Sequence, residues 1–147
     1  MENMNENLLH AWLRLSTSIV NSRIVSDLPY NEALVCNALY RNHKKTPDTP
    51  LTATDLCSIT KMLKSQMNRT LNLLEEKNLI IRRRSDKDKR QIFITINAEN
   101  FDIYIRQHEQ ILKFLDGIIE RIGIQKTAYV TDALIEISDI ADNMLGQ

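Results

Sequence analysis

Residues 51–96 read LTATDLCSITKMLKSQMNRTLNLLEEKNLIIRRRSDKDKRQIFITI, and the order of patterns within them decides the fold. Thr52-Ala53-Thr54-Asp55 has the form of a capping box with Asp in place of the usual Glu or Gln, so a helix is expected to start near Ala53. Leu56 and Ile59 are expected to face inward from it, and a turn over 60–63 leads to a second helix from about Lys64 to Asn78. Leu63, Met67, Leu71 and Leu74 then follow at four-, four- and three-residue steps, a buried stripe. Asn78 stands where a helix takes a left-handed residue after its end, Asn being the second choice after Gly. Two strands come next, Leu79 to Arg84 and Gln91 to Ile96, the second alternating Ile92, Ile94 and Ile96 against Phe93 and Thr95. The connection Ser85–Arg90 has no Gly, which predicts a longer loop rather than a two-residue turn.

Helix, helix and two-stranded wing is the order of a winged helix-turn-helix, whose second helix enters a DNA major groove. The side chains opposite the predicted stripe suit that task. They are Lys64, Ser65, Gln66, Asn68, Arg69 and Asn72. Gln and Asn can pair with an adenine edge in two places, Arg with guanine, and Ser with a base or a phosphate. A face serving solubility alone would be richer in Glu and Lys, like Glu75-Glu76-Lys77 at the far end of the same helix. Thr52 and Thr54, at the start of the preceding helix, are expected to sit on phosphates. In the hairpin, Arg82, Arg83, Arg84, Lys87, Lys89 and Arg90 are expected to contact phosphates or enter a minor groove, with Asp86 and Asp88 pinning them by ion pairing. A merely solvated surface is the alternative for both the helix face and the hairpin tip.

The totals fit this reading without demanding it. The chain has 147 residues, 43% hydrophobic and 26% charged, with three Gly and three Pro, a profile for one globular domain of long regular elements. Net charge is zero, yet residues 61–90 hold ten basic and four acidic side chains while the remainder holds nine and fifteen. A neutral chain split in this way can present one strongly positive face. No apolar run is long enough to span a membrane, and the start MENMNENLLH lacks the basic and apolar segments of a signal peptide, so a cytoplasmic location is expected. Cys36 and Cys57 have no metal-finger or CxxC spacing and read as reduced, buried thiols. His10, His43 and His108 are too dispersed for a metal site, and no cofactor is expected.

Outward from the central stretch the chain reads as helices. Asn5 to Val25 carries a stripe of Leu8, Leu9, Trp12, Leu13, Ser16, Ile19, Val20 and Ile24, and Asp27-Leu28-Pro29 breaks it. Tyr30 to Asn42 places Leu34, Val35, Ala38 and Leu39 on one face, and HKKTPDTP over 43–50 reads as a loop. After the hairpin, Asn97-Ala98-Glu99-Asn100 is expected to cap a helix running to about Arg121, with Phe101, Ile105, His108, Leu112, Leu115, Ile119 and Ile122 as a heptad seam. A last helix, about Lys126 to Leu145, carries Asp132, Glu136, Asp139 and Asp142 on its outer face. The fold class expected is mainly α with a small β-hairpin wing. Residues 1–28 and 98–147 form a helical dimerisation region around a winged-helix DNA-binding region at 29–97, all within one domain.

The sequence resembles the multiple-antibiotic-resistance regulator (MarR) family of winged-helix transcription factors. SQMNRTLNLLEEKNLI over 65–80 is similar to that family's recognition helix and its exit, and Asp88-Lys89-Arg90 to the Asp-x-Arg pattern of its wing. The element order extends the resemblance over nearly the whole chain. It departs at Asn78, where the family usually has Gly, and it lacks the first-helix Cys of the family's peroxide-sensing members and the clustered His and acidic ligands of its zinc-sensing members. The resemblance implies a homodimer held by the terminal helices, binding double-stranded DNA at a roughly palindromic operator and repressing until a small-molecule effector binds between platform and reader. Half-sites are expected about one helical turn, roughly 10 bp, apart.

The reading is therefore a sequence-specific regulator, with the wing carried by Arg84, Lys87, Asp88, Lys89 and Arg90. Trp12, Tyr30, Tyr40 and His108, with His10, are the candidates for an effector pocket, core packing being the alternative for each. The competing function is a winged-helix protein-interaction or architectural module, since fold alone does not settle function. No Gly-rich phosphate loop, metal motif or nucleophile signature suggests an enzyme.

Overall fold

A computed structural model describes residues 3–21 and 28–146 of the chain. In order, its elements are α1 (Met4–Asn21), α2 (Tyr30–Lys45), β1 (Leu51–Thr52), α3 (Ala53–Thr60), α4 (Lys64–Glu76), β2 (Ile80–Arg84), β3 (Ile92–Ile96), α5 (Asp102–Ile122) and α6 (Ile124–Met144). The part of the expected first helix beyond residue 21, with Arg23, Ile24 and the break at Asp27, lies outside the described residues. The expected fold class, helices with a β-hairpin wing, is the one observed.

The head is a three-helix cluster closed by a small sheet. Leu28, Val35, Cys36 and Leu39 pack against Leu56 of α3, Met67, Leu71 and Leu74 of α4, and Leu79, Ile80 and Ile94 of the hairpin. The sheet order is β1-β3-β2, antiparallel throughout, with Leu51 opposite Ile94 and Arg82 opposite Ile94 on its other side. Residues 51–52 were not expected to form a strand. Two residues carry no periodicity of their own, and only pairing with β3 makes β1. The 43–50 loop is shorter than expected, because α2 continues through Lys45 before Thr46 closes it onto the Asn42 carbonyl.

Local chemistry sets the ends of α3 and α4. Thr52 and Asp55 form the expected reciprocal capping box at α3, with Thr52 Oγ1 accepting from the Asp55 N–H at 3.1 Å and Asp55 Oδ2 from the Thr52 N–H at 2.9 Å. Lys61 ends α3 in the left-handed region at φ 63°. That turn resets the helical phase, which corrects two expectations. Ile59 and Leu63 are 55% and 67% exposed rather than buried, because the stripe that continues across the turn on paper is broken there in space. Met62 and Thr70 bury instead. Asn78 is left-handed at φ 59°, as expected, and its N–H donates to the Glu75 carbonyl while Leu79 N–H reaches Leu74, the paired bonds that finish a helix.

The linker into α5 behaves differently from its reading. Asn97 and Asn100 do not cap α5. Their side-chain amides donate to the carbonyls of Asn78 at 2.8 Å and Lys77 at 3.0 Å, so they close the C-terminal end of α4. Phe101, the first residue of the predicted seam, is buried just ahead of α5, and within α5 Tyr104 and Gln107 bury while Ile105 and His108 of that seam are only half-buried. Beyond that point the terminal helices hold almost nothing inside. Leu8, Trp12 and Leu13 of α1, Leu112, Phe114 and Leu115 of α5, and Leu134, Ile137 and Ile140 of α6 are all exposed, and α6 buries no residue.

Candidate nucleic-acid interface

The outward face of α4 is built as its stripe dictates. With Met67, Thr70, Leu71 and Leu74 turned to the core, Lys64, Ser65, Gln66, Asn68, Arg69 and Asn72 are all exposed. Lys64, Ser65, Asn68 and Arg69 have no side-chain partner among the described residues, so their hydrogen-bonding capacity is free for a ligand. The other two are engaged. Gln66 Oε1 accepts from the Leu63 N–H at 3.2 Å, a cap on the first turn of α4. Asn72 Oδ1 accepts from Arg82 Nη2 at 2.8 Å.

Arg82 was expected to contact phosphate, and the structure assigns it elsewhere. Its place on β2 directs it back onto α4, where Nε and Nη2 grip the two carboxylate oxygens of Glu75 at 3.0 and 2.9 Å. The Arg82 hydrogen bond holds the Glu75 carboxyl below its usual range, against a smaller opposing effect of burial, and the same bond raises the pKa of Arg82. A two-pronged guanidinium–carboxylate grip fixes direction as well as distance. It therefore locks β2 to α4.

The wing tip is organised by its backbone. Ser85 Oγ accepts the N–H groups of Lys87 and Asp88, and Asp88 Oδ1 accepts that of Arg90 at 3.0 Å. Arg84 reaches across the loop to the Lys89 carbonyl at 2.6 Å. Asp86 and Asp88 make no ion pair among the described residues, contrary to expectation, because Asp88 is spent as a turn former. Lys87, Lys89 and Arg90 are left exposed with free cationic ends. Of the two helix-start threonines, Thr54 is exposed, whereas Thr52 is half-buried and its hydroxyl oxygen serves the α3 cap.

The expected pocket residues separate into two groups. Tyr40 and His108 come together, ring centroids 5.4 Å apart, in a cluster completed by Phe101 and Tyr104. Asn37 Nδ2 donates to the Tyr104 hydroxyl at 3.0 Å, and that oxygen lies 3.3 Å from His108 Nδ1. Burial pushes the Tyr104 phenol up, against the Asn37 hydrogen bond. Trp12 and Tyr30 stay outside this cluster, 65% and 70% exposed. Tyr104 and Asn37 were missed, though Phe101, Tyr104 and His108 at three- and four-residue steps carried the signal. Beside the cluster, Asn37, Arg41 and Lys45 of α2 face Ile59 and Thr60 of α3 across a groove of about 300 Å³. Gln107 is buried, and neither atom of its amide hydrogen-bonds within the described chain. Among the described residues no group of three His, Cys, Asp or Glu is placed to hold a metal, and no helix is long and apolar enough to cross a membrane.

Comparison with known proteins agrees with this geometry. Residues 26–91 match the model of the MarR family. A curated relative, the HTH-type transcriptional regulator FarR of Neisseria gonorrhoeae, is 26% identical over 88 residues, which is 60% of this chain and 60% of that protein. Among solved structures, NadR in complex with 4-hydroxyphenylacetate is 23% identical with a TM-score of 0.70, over 95% of each chain. The MepR–DNA complex of S. aureus is 13% identical with a TM-score of 0.74, over 95% of this chain and 99% of that one. At these identities the solved structures speak to the fold.

Proposed function

We propose that this chain is a MarR-family regulator, a dimeric, ligand-responsive transcriptional repressor that binds a pseudo-palindromic DNA site; the match of residues 26–91 to that family's model supports this reading. The observation that carries the reading is the unpartnered face of α4: Lys64, Ser65, Asn68 and Arg69 are exposed together, with free cations at 87, 89 and 90 on the adjoining wing. Such a helix lays bidentate and phosphate-binding groups along a groove while the wing adds charge beside it. MepR, which is similar in fold, is solved in a complex with DNA.

What the terminal helices leave uncovered supports dimerisation. Many apolar side chains on α1, the outer part of α5 and α6 stay exposed among the described residues, and a second copy buries them most economically. Two heads held this way present two α4 helices to half-sites roughly 10 bp apart. The effector fits the groove between α2 and α3, where Arg41 and Lys45 border apolar Leu34 and Ile59. That lining suits an aromatic or amphipathic anion. Asn37 links the groove to Tyr104 of α5, so occupancy there can bias the head against the platform. Tighter binding of the effector to the DNA-incompetent arrangement is what release requires.

Fluorescence anisotropy with fragments of the promoter region next to the protein's own gene tests the reading. Preference for one fragment over random DNA at moderate salt is expected. Equal affinity for all fragments would instead support a protein-interaction or architectural module.

A further inference from the structure

Two of the three amides on the outer face of α4 have their oxygens fixed by groups that can only donate. The partner of Gln66 Oε1 is the Leu63 backbone N–H, at 3.2 Å. The partner of Asn72 Oδ1 is the Arg82 guanidinium, at 2.8 Å. Neither partner has an acceptor, so neither amide can be turned over without losing its bond. What each then offers outward is its N–H₂ group. Asn68, exposed between them, has no partner among the described residues and keeps both ends of its amide free.

We propose that Gln66 and Asn72 read guanine, as donors, and that Arg82 and the Leu63 N–H impose this choice, while Asn68 alone is free to pair with adenine. The inference rests on the DNA-binding reading above. Pairing an amide with adenine in two places requires its oxygen to accept from the N6 amino group. At Asn72 that amino group, a donor, would share the oxygen with a cation already bonded to it. At Gln66 the oxygen would have to meet that amino group while turned back to the Leu63 N–H at the start of α4. Guanine avoids the conflict, because its major-groove edge offers two adjacent acceptors, N7 and O6, and no donor. Arg82 is thus a positioning residue for specificity. It touches no base, is held in turn by Glu75 at 2.9 and 3.0 Å, and sets which end of Asn72 the DNA meets.

Selection of bound fragments from a randomised duplex pool, using the full-length protein, tests this. Positions read by each side chain are those that lose information in Gln66→Ala, Asn72→Ala and Asn68→Ala. Guanine is expected at the Gln66 and Asn72 positions, favoured over adenine by about tenfold in direct titration. Arg82→Leu frees the Asn72 oxygen and is expected to shift that position toward adenine, whereas Arg82→Lys keeps a donor there and keeps guanine. Should Arg82→Leu fail to fold, the wild-type and Asn72→Ala motifs decide alone. Adenine at both positions in the wild-type motif, or no change in preference with Gln66→Ala and Asn72→Ala, overturns the proposal while leaving DNA binding intact. No enrichment of any sequence overturns both.

Discussion

Lys77, the residue that closes α4, reaches Glu32 in the first turn of α2 at 2.6 Å, and Glu32 is only 2% exposed. The pair ties the end of the reading helix to the helix beneath it. Removing one member of such a pair leaves a buried charge without a counter-ion, which costs about 3–5 kcal/mol when both are fully buried. Lys77 is partly solvated, so Lys77→Met is expected to cost less, about 2 kcal/mol, in denaturant unfolding. Glu32→Gln should cost less than that, since the Lys77 charge it leaves unpaired is partly solvated. The double substitution Glu32→Leu with Lys77→Met should recover part of the loss. Costs that simply add would show that the two residues are not coupled.

Cys36 lies one turn along α2 from Glu32, and its thiol is pushed up to about 12 by burial first and by the Glu32 charge second, with Lys77 opposing. A thiol whose folded pKa lies above its unfolded value of 9.0 binds its proton more tightly when folded. Its contribution to stability is therefore fully present below about pH 9 and is lost as pH rises toward 12. Unfolding free energy is expected to fall more steeply over pH 9–11 in the wild type than in Cys36→Ala. In the native protein at pH 8, a thiol reagent should modify the half-buried Cys57 well before Cys36. Equal rates for the two thiols would contradict the burial argument.

What the sequence made legible was whatever a local pattern controls. The Met67–Leu71–Leu74 stripe, the α3 capping box and the left-handed Asn78 depend on neighbours a few residues away, and all three are present. Ile59 and Leu63 were misplaced because periodicity cannot show that the turn at Lys61 breaks the helical phase. The roles of Arg82, Asn72 and Gln66 were mixed by a different cause. Their residue types suit DNA, but whether Arg82 and Asn72 face DNA or each other depends on how β2 lies against α4, while the Gln66 oxygen turns back to the Leu63 N–H at the start of its own helix. Asn97 and Asn100 teach the same lesson. They sit where an N-terminal cap is expected, and the nearest unpaired groups turn out to be carbonyls of another helix. Replacing Asn100 with Ala removes the bonds it makes and should lower stability by about 1 kcal/mol, read as a reduced denaturation midpoint.

The wing is expected to supply affinity rather than sequence. Lys87, Lys89 and Arg90 have free cationic ends, whereas Arg82 is held by Glu75 and Arg84 by the Lys89 carbonyl. Neutralising one fewer phosphate reduces the slope of log affinity against log salt by roughly 0.9. Arg90→Ala is expected to weaken binding to specific and random fragments alike and to flatten that slope by about one per subunit. Arg82→Ala should change preference while leaving the slope nearly intact. Identical salt slopes for wild type and Arg90→Ala would mean that the wing does not touch the phosphates.

The uncovered apolar faces make the last prediction. Leu134 and Ile137 lie one turn apart on α6, 50% and 47% exposed, and Trp12 and Leu13 on α1 are as open. If these faces meet a second copy, a charge placed there loses its hydration against apolar surface and must pull the subunits apart. Leu134→Asp with Ile137→Asp is expected to convert a dimer to a monomer in light scattering, with the circular dichroism of the head helices retained. The core from Leu28 to Tyr104 contains no residue of α6, so the head has no reason to unfold with it. DNA affinity should fall steeply at the same time, because a single head covers only one half-site and forgoes the tethering that makes the second binding step intramolecular. A double variant that stays dimeric at micromolar concentration would assign dimerisation to α1 and α5 without α6. A monomer that keeps full affinity would mean that one α4 helix and its wing suffice.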